Sequence, residues 1–210
     1  CGELFQMIDE EKLEMIPEIP EKEPLPGSIV LGRFQPFHRG HIALIEWAYE
    51  QKESEYLRII IGSANRPQSP ENPWNWEERK EMICCWKENE HPEWKFEIIA
   101  IPDINNPPKW VEHAEKYHGK SGLLLTSDKE TQVLYEQKNW RTKYLQFENR
   151  ESFEGWRVRE TCKMLSTVIE TDAVKLILSE TIHESVIELL IEKDYLRRLP
   201  FLGPNVENVG

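Results

Sequence analysis

The sequence has few cysteines, and their spacing suits neither a metal site nor a disulfide framework. The four cysteines stand at positions 1, 84, 85 and 162, and no Cys-x-x-Cys pair occurs. Zinc sites and disulfide-stapled folds need thiols at characteristic separations. We therefore expect free thiols in a reducing compartment, no metal site, and the cytoplasm as the location.

Long apolar stretches are also absent from the sequence. No run approaches the roughly 20 apolar residues that a membrane-spanning helix requires, and we find no signal-peptide pattern. We therefore expect no contact with a membrane. The 39% of hydrophobic residues, which include 8 Trp, 6 Tyr and 7 Phe, are sufficient for a folded core.

Basic residues are in deficit: 26 Lys and Arg stand against 38 Asp and Glu, and the formal net charge is −12. A nucleic-acid-binding surface requires a basic face, so we expect no nucleic-acid partner. A small anionic substrate needs only a few local cations. Residues 1–26 hold eight carboxylates against two lysines, and we interpret them as an acidic, proline-containing arm. We assign residues 27–200 to one domain and residues 201–210 to a tail.

Within the domain, short apolar runs alternate with helical patterns. The apolar runs predict strands at 29–31, 56–61, 96–101, 123–125 and 143–147. The helical patterns begin at residue 39 and continue at 76–87, 109–117, 129–138, 154–166 and 171–192. Continuous apolar strands between helices are typical of a parallel sheet that is covered on both faces. We predict an α/β fold, a Rossmann-like doubly wound parallel sheet of about five strands with C-terminal helices, whose ligands bind at the strands' carboxyl ends.

The first predicted strand runs into the segment GRFQPFHRGH, from Gly32 to His41. His38 and His41 are three residues apart at the start of a helix, so both rings can face the same way. Gly40 between them lets a ligand approach the backbone closely. Helix N-terminal N–H groups attract phosphate, and Arg33 adds a bidentate donor. The segment predicts a polyphosphate cradle; the alternatives are a metal site and a pair of surface histidines without a role.

This segment resembles the signature of the archaeal-type nicotinamide-nucleotide adenylyltransferases, within the nucleotidylyltransferase superfamily marked by (H/T)xGH. The resemblance covers about residues 27 to 165. It continues in chain order through Gly62-Ser63, residues 71–74, Glu78-Arg79, residues 101–104, Trp110-Val111, residues 126–128 and residues 149–159. It implies that the phosphate of nicotinamide mononucleotide (NMN) attacks the α-phosphorus of ATP, with Mg²⁺ helping, and that NAD and pyrophosphate form.

The resemblance also implies roles for individual residues. His38, His41 and Arg159 match the family's catalytic phosphate-binding residues. The implied nucleotide-binding residues are Gly32, Arg33, Phe34, Gly40, Asp103, Trp110, Thr126, Asp128 and Arg157. Trp110 matches the aromatic residue that stacks on the nicotinamide ring, and Asp103 matches a residue of the same pocket. Taken singly, Trp110 is also typical of core packing, and Asp103 is typical of a turn. Arg159 is typical of the solvent-exposed side of a helix.

The chain departs from the family pattern at three places: the final motif, Pro107, and the turn Thr126-Ser127-Asp128, where the family has a Thr-Gly-Asn turn that takes part in adenine recognition. Its final motif has Glu154 and Trp156 where the family has hydroxyl residues, and Ser152 is a candidate substitute hydroxyl. A carboxylate beside a triphosphate repels it unless the carboxylate turns away, meets a cation or helps to place Mg²⁺. The second departure is Pro107, where the family usually has an asparagine near the nicotinamide site.

These departures keep two other functions open. One is a nucleotidylyltransferase for another phosphomonoester, such as a flavin or pantetheine phosphate. The other is a nucleotide-binding sensor without catalysis. The family also implies a homo-oligomer, for which the apolar helix expected at 171–192 is a candidate interface.

Overall fold

A five-stranded parallel sheet forms the centre of the fold in the computed structural model, which describes residues 16–147 and 154–203. The strands are β1 Ser28–Gly32, β2 Leu57–Ile61, β3 Phe96–Ala100, β4 Leu123–Thr126 and β5 Arg141–Tyr144. Their spatial order is β3-β2-β1-β4-β5, and every neighbouring pair is parallel. The predicted doubly wound sheet is confirmed, and its order reverses direction between β1 and β4, where such folds bind ligands.

Helices cover both faces of this sheet. They are α1 Arg39–Gln51, α2 Trp76–Glu90, α3 Trp110–His118, α4 Lys129–Glu136, α5 Gly155–Leu165, α6 Thr171–Leu178 and α7 Glu184–Glu192. Val30 of β1 belongs to a core cluster with residues of α1, α2 and α5 to α7. Its neighbour Ile29 points to the opposite face and packs with residues of α3 and α4. Because both faces are buried, the inner strands are mostly apolar, with Ser28, Arg58 and Thr126 as the exceptions.

The fifth strand differs from the prediction. It spans Arg141–Tyr144, whereas the apolar pattern predicted 143–147. Its residues are polar, and Arg141 and Tyr144 are exposed, because β5 lies at the edge of the sheet and pairs only with β4. A strand at the edge of a sheet is less buried, so its residues need not be apolar. The prediction followed the next apolar run and therefore placed this strand a few residues too late.

The single helix predicted at 171–192 is wrong. The chain leaves the helical conformation after Leu178 and begins α7 at Glu184, where the ring of His183 accepts a hydrogen bond from the Ser185 N–H. The carbonyl groups of Ser179 and Thr181 at this break accept hydrogen bonds from Arg39 at the start of α1. Both helices bury apolar side chains, so the periodicity continues across the break and does not reveal it.

The described part of the acidic arm, residues 16–26, lies against the domain. The Tyr117 hydroxyl donates to the Pro17 carbonyl oxygen at 3.1 Å, and the Arg58 guanidinium donates to the Leu25 carbonyl oxygen. The tail prediction falls mostly outside the described residues, as do Ser152 and Cys1. Cys84, Cys85 and Cys162 are free thiols. None of the described helices is long and apolar enough to cross a membrane.

The buried His118, the last residue of α3, links α3 to α4 through hydrogen bonds of its ring. Its Nδ1 lies 2.8 Å from the Gly119 carbonyl oxygen, which only accepts, so Nδ1 of His118 carries the proton. Its Nε2 therefore accepts a hydrogen bond from the Tyr135 hydroxyl at 2.9 Å. Burial lowers the pKa of His118 to about 4, and the ring is neutral at pH 7.

We expect Tyr135→Phe to lower the free energy of unfolding by about 1–3 kcal/mol, because it leaves the buried Nε2 of His118 without a donor. Urea unfolding at pH 7 measures the change. The control is Tyr144→Phe on the exposed edge strand, which should change stability by less than about 0.5 kcal/mol. Equal effects of the two substitutions would contradict the assigned hydrogen bond.

Candidate functional site

A cavity of about 910 Å³ opens at the carboxyl ends of the strands. Each strand contributes to its lining at or just after its end: Gly32 from β1, Ser63 from β2, Asp103 from β3, Asp128 from β4 and Phe147 from β5. The volume lies within the range of small-molecule sites in proteins. The sheet therefore gathers residues from five separate segments into one site.

Two stacked imidazoles lie in this cavity at the start of α1. The ring centroids of His38 and His41 are 3.7 Å apart, and the planes differ by 26°. His41 Nδ1 accepts a hydrogen bond from the His38 backbone N–H at 3.3 Å, so the neutral His41 ring carries its proton on Nε2. The His38 side chain is buried, and its Nδ1 has no hydrogen-bond partner within the described part of the chain.

Both imidazoles are neutral at pH 7. Burial, and then the nearby Arg159, lower the pKa of His38 to about 4. Burial, and then the adjacent His38, hold the pKa of His41 well below its ordinary value. An anion bound beside the rings would raise both pKa values, because it stabilises the charged form. The pair can therefore donate N–H groups to an anion and gain charge as negative charge arrives.

The backbone N–H groups at the start of α1 are less available than the sequence predicts. The Arg39 N–H donates to the Thr181 carbonyl oxygen at 2.8 Å, and the His38 N–H donates to His41. The expectation that these N–H groups are free to bind phosphate is therefore wrong for both. For Arg39 the reason is the break between α6 and α7, which brings Thr181 to α1 and which the sequence pattern did not reveal. For His38 the reason is local, because the acceptor is the ring of His41.

Guanidinium groups supply the positive charge of the cavity. Arg33 lines the cavity with an exposed side chain. Arg159 of α5 also lines it, and its Nη1 donates to the Gln35 carbonyl oxygen at 2.8 Å. Burial, and then repulsion from Arg33, lower the pKa of Arg159 from its ordinary value. The two cations and the two imidazoles thus converge on one region around the end of β1.

A third arginine lies beneath this region and was not predicted as a site residue. Arg79 of α2 is only 1% exposed, and it donates to the carbonyl oxygens of Arg33 at 2.7 Å, Gly62 at 2.9 Å, Ser63 at 3.2 Å and Asn75 at 3.1 Å. Within residues 16–147 and 154–203 it forms no ion pair. Burial, and then Arg33, lower its pKa to about 10. This buried cation joins the ends of β1 and β2 to α2.

The backbone at three strand ends adopts the left-handed conformation. Phe34 has φ 53°, Ser63 has φ 52° and Asn105 has φ 50°, and all three residues line the cavity. Such conformations cost on the order of 1 kcal/mol or more in residues other than glycine, and they cluster at functional sites. The hydrogen bond from Arg79 to the Ser63 carbonyl helps to hold one of these turns.

The β3 side of the cavity is a polar pocket around Asp103. Its Oδ2 accepts from Arg66 Nη2 at 2.9 Å and from the Ser63 hydroxyl at 3.4 Å. Burial raises the pKa of the Asp103 carboxyl, but the Asn105 N–H, Arg66 and Ser63 outweigh burial and lower it. Trp110 at the start of α3 also lines this side. The sequence analysis did not predict Arg66 as a site residue, although a cation that follows the apolar run of β2 could have indicated an anion-binding position.

Two of the predicted residues do not line the cavity. Thr126 is buried, and its hydroxyl accepts from the Asp128 N–H at 3.0 Å, so it shapes the turn before α4. Arg157 Nε pairs with Glu154 at 3.1 Å, at the start of α5. The predicted residues that do line the cavity are Gly32, Arg33, Phe34, His38, Gly40, His41, Asp103, Trp110, Asp128 and Arg159.

Gln35 is another lining residue that sequence reasoning missed. Its Nε2 donates to the Trp74 carbonyl oxygen at 2.7 Å, and its Oε1 accepts from the Trp74 N–H at 3.2 Å. The side chain thus clamps the loop between β2 and α2 to the cradle segment. Its position between Phe34 and Pro36 in the motif did not distinguish it from an ordinary polar loop residue.

Comparisons with known proteins agree with this fold. A sequence model of the cytidylyltransferase-like family matches residues 29–184. Nicotinamide-nucleotide adenylyltransferases of Thermoplasma volcanium and Thermococcus sibiricus are 29% and 26% identical to the chain. The alignments cover 87% and 85% of this chain, and 95% and 90% of those proteins.

A solved structure is similar in fold. It is a bifunctional NMN adenylyltransferase/ADP ribose pyrophosphatase of Francisella tularensis, complexed with AMP and a manganese ion. It aligns with a TM-score of 0.54 and 20% identity over 82% of this chain. The chain spans about half of that protein, 51% of its length. At this identity the likeness concerns the fold alone.

We expect Arg79→Met to lower the free energy of unfolding by about 3 kcal/mol or more, because it leaves several carbonyl groups at the ends of β1 and β2 without donors. Urea unfolding at pH 7 provides the measurement. Arg141→Met, on the exposed edge strand, is the matched control and should cost less than about 1 kcal/mol. A variant as stable as this control would show that the buried hydrogen bonds do not hold the strand ends.

Proposed function

The chain belongs to the cytidylyltransferase-like family, and from that premise we propose that it is a nicotinamide-nucleotide adenylyltransferase. In this reaction ATP and NMN form NAD and pyrophosphate. The observation that carries the proposal is the neutral histidine pair beside Arg33 and Arg159, in a cavity to which all five strands contribute. Relatives with this name, whose alignments cover most of the chain, support the proposal.

The proposed step forms one phosphorus–oxygen bond and breaks another. A phosphate oxygen of NMN attacks the α-phosphorus of ATP in line, and the bond from this phosphorus to the α,β-bridging oxygen breaks. Pyrophosphate leaves with the electron pair of that bond. A phosphate monoester is largely ionised at pH 7, so the attacking oxygen needs no general base. Catalysis therefore consists of positioning and charge stabilisation, and no protein nucleophile is required.

The cradle residues divide this work. We assign His38 and His41 to the α-phosphate, where their N–H groups stabilise the charge that builds up as the bridging bond breaks. We assign Arg33 and Arg159 to the β- and γ-phosphates, since guanidinium groups bind phosphate oxygens in pairs. The Arg33 carbonyl oxygen is held by Arg79, and Arg159 Nη1 is held by the Gln35 carbonyl oxygen, so both arginines start from fixed positions beside the histidine pair.

Mg²⁺ enters this proposal as part of the ATP substrate. Within the described residues, no group of three or more His, Cys, Asp or Glu side chains is placed to hold a metal ion. Mg²⁺ is commonly bound through phosphate oxygens, water and only one or two carboxylates. The phosphate oxygens of ATP supply most of that ligand set, so a cavity rich in cations and poor in free carboxylates fits a metal that arrives with the nucleotide.

A different phosphomonoester acceptor is the second candidate function. Pro107 lines the cavity near Trp110 and offers neither an N–H nor a polar side chain to a carboxamide. In our proposal Trp110 and Asp103 nevertheless hold the nicotinamide nucleotide, with Arg66 and Asn105 available as polar contacts. A panel of NMN, flavin mononucleotide and pantetheine phosphate, each with ATP or CTP, distinguishes the two.

The structure removes the main argument for a sensor without catalysis. That alternative arose from Glu154 and Trp156 in the final motif, and its electrostatic part is the repulsion between the Glu154 carboxylate and a triphosphate. In the structure Glu154 Oε2 accepts from Trp156 Nε1 at 2.8 Å and from Arg157 Nε at 3.1 Å. Its charge therefore meets a cation, and it does not confront a triphosphate alone.

We further propose that the protein acts in the cytoplasm as a homo-oligomer. The expected interface, the apolar helix at 171–192, needs revision, since the apolar side of α7 is buried within the chain. Exposed apolar side chains lie at Met164 of α5, at Ile169 and, within the predicted range, at Leu176 of α6. We propose these side chains as contacts between copies.

We expect His38→Ala and His41→Ala each to lower kcat for NAD formation by about 100- to 1,000-fold, the usual effect of removing one donor to a developing charge. A coupled assay for pyrophosphate release, with ATP, Mg²⁺ and NMN, measures the rate. His91→Ala, outside the cavity, is the control and should retain most of the activity. If the well-folded wild-type protein forms no NAD and releases no pyrophosphate with NMN, the proposed function is wrong.

We expect ATP binding near pH 6 to be accompanied by proton uptake, and affinity to rise as pH falls from 7 to 5. The triphosphate raises the pKa of His38 from about 4, so the complex binds more protons than the free protein. Calorimetry in two buffers of different ionisation enthalpy counts these protons. His38→Ala is measured in the same way, which subtracts the protonation of ATP itself. Equal uptake by both proteins would contradict the prediction.

A further inference from the structure

Trp156 is the most exposed of the Phe, Tyr and Trp residues that line the cavity in the described part of the chain. It is the second residue of α5, and 53% of its surface is accessible. Phe34 is fully buried, and Trp110 and Phe147 are half-buried. An exposed indole at the wall of a binding cavity offers a large flat apolar surface to a ligand.

The orientation of this indole is set by its two neighbours. Its Nε1 donates to Glu154 at 2.8 Å, so its one polar atom is already satisfied. The Arg157 guanidinium lies over one face of the ring, 4.8 Å from the centroid. Within residues 16–147 and 154–203, no aromatic ring stacks on the indole of Trp156. The ring is thus held in place before any ligand arrives, which reduces the entropy lost on binding.

The position of Trp156 follows from the close approach of α5 to the phosphate cradle. A Cβ atom at Gly155 would lie 3.5 Å from the Gln35 carbonyl oxygen, 3.4 Å from Arg159 Nη1 and 3.9 Å from His38 Nε2. The first residue of α5 therefore lies next to the groups that we assign to the phosphates. The indole of the next residue lies within reach of a group attached to those phosphates.

On the basis of the proposed function, we propose that Trp156 is the platform on which the adenine base of ATP stacks. Trp110 follows β3 at one edge of the sheet, whereas Gly155 contacts the loop after the central β1. At about 4.8 Å per strand, this separation leaves room for a phosphate group between two rings. The nicotinamide ring and the adenine ring then each meet their own tryptophan, on either side of the cradle.

This assignment explains the departure of the final motif. The carboxylate of Glu154 anchors the indole N–H, and Arg157 both neutralises that carboxylate and covers the far face of the ring. The three side chains form one unit that presents a flat apolar face to a base.

The test compares Trp156→Ala and Trp156→Phe in the full chain, by calorimetric binding of MgATP, inorganic tripolyphosphate and NMN. Stacking of a base on an aromatic side chain predicts a loss of ATP affinity of roughly 5- to 100-fold in Trp156→Ala. Tripolyphosphate has no base, so its affinity should change by less than about twofold, as should that of NMN. Trp156→Phe retains a ring and should restore most of the ATP affinity.

Phe201→Ala, an exposed aromatic residue outside the cavity, controls for the loss of surface area. Equal losses for ATP and tripolyphosphate would overturn the proposal, because Trp156 would then maintain the cradle itself. A loss confined to NMN, or no loss at all, would overturn it as well. These measurements need no turnover, so they remain decisive if NAD formation is not observed. A wild-type protein that binds no ATP would instead overturn the proposed function together with this one.

Discussion

The hydrogen bonds of one buried guanidinium hold the candidate site together. Arg79 donates to the carbonyl oxygens of Arg33, Gly62 and Ser63, so the ends of β1 and β2 are fixed to each other and to α2. A carboxylate in its place would be repelled by these carbonyl dipoles, and an apolar side chain would leave them unsatisfied. The left-handed turns at Phe34 and Ser63 then have defined positions, and the cradle segment starts from a rigid base.

The electrostatics of the cavity depend on burial as much as on charge. Arg33, Arg79 and Arg159 place positive charge around the end of β1, in a chain whose net charge is −12. Burial keeps His38 and His41 neutral beside them, because it disfavours the charged form of each ring, and repulsion from Arg159 lowers the pKa of His38 as well. An incoming triphosphate relieves the repulsion. A net acidic protein can thus present a local site for anions.

Sequence patterns predicted the structure correctly where it depends on residues within one short segment. The apolar runs of β1 to β4 and the spacing of His38 and His41 located the sheet and the centre of the cavity within a few residues. They failed where a distant segment intervenes. The hydrogen bond from the Arg39 N–H to the Thr181 carbonyl oxygen removes one expected phosphate donor, and no local pattern in either segment encodes it. The hydrogen bonds of Glu154 with Arg157 and Trp156 likewise could not be predicted from the sequence pattern.

By itself, the sequence determined the alternation of buried strands and helices and the order of the motifs, because both follow from the local periodicity of apolar side chains and from residues close together in the chain. The tertiary structure alone decided which groups face the cavity. It placed Gln35 and Arg66 in the lining, turned Arg157 toward Glu154, and put Arg79 beneath the strand ends. The physical reason is that hydrogen bonds and burial depend on partners from distant segments, which meet only when the sheet has formed.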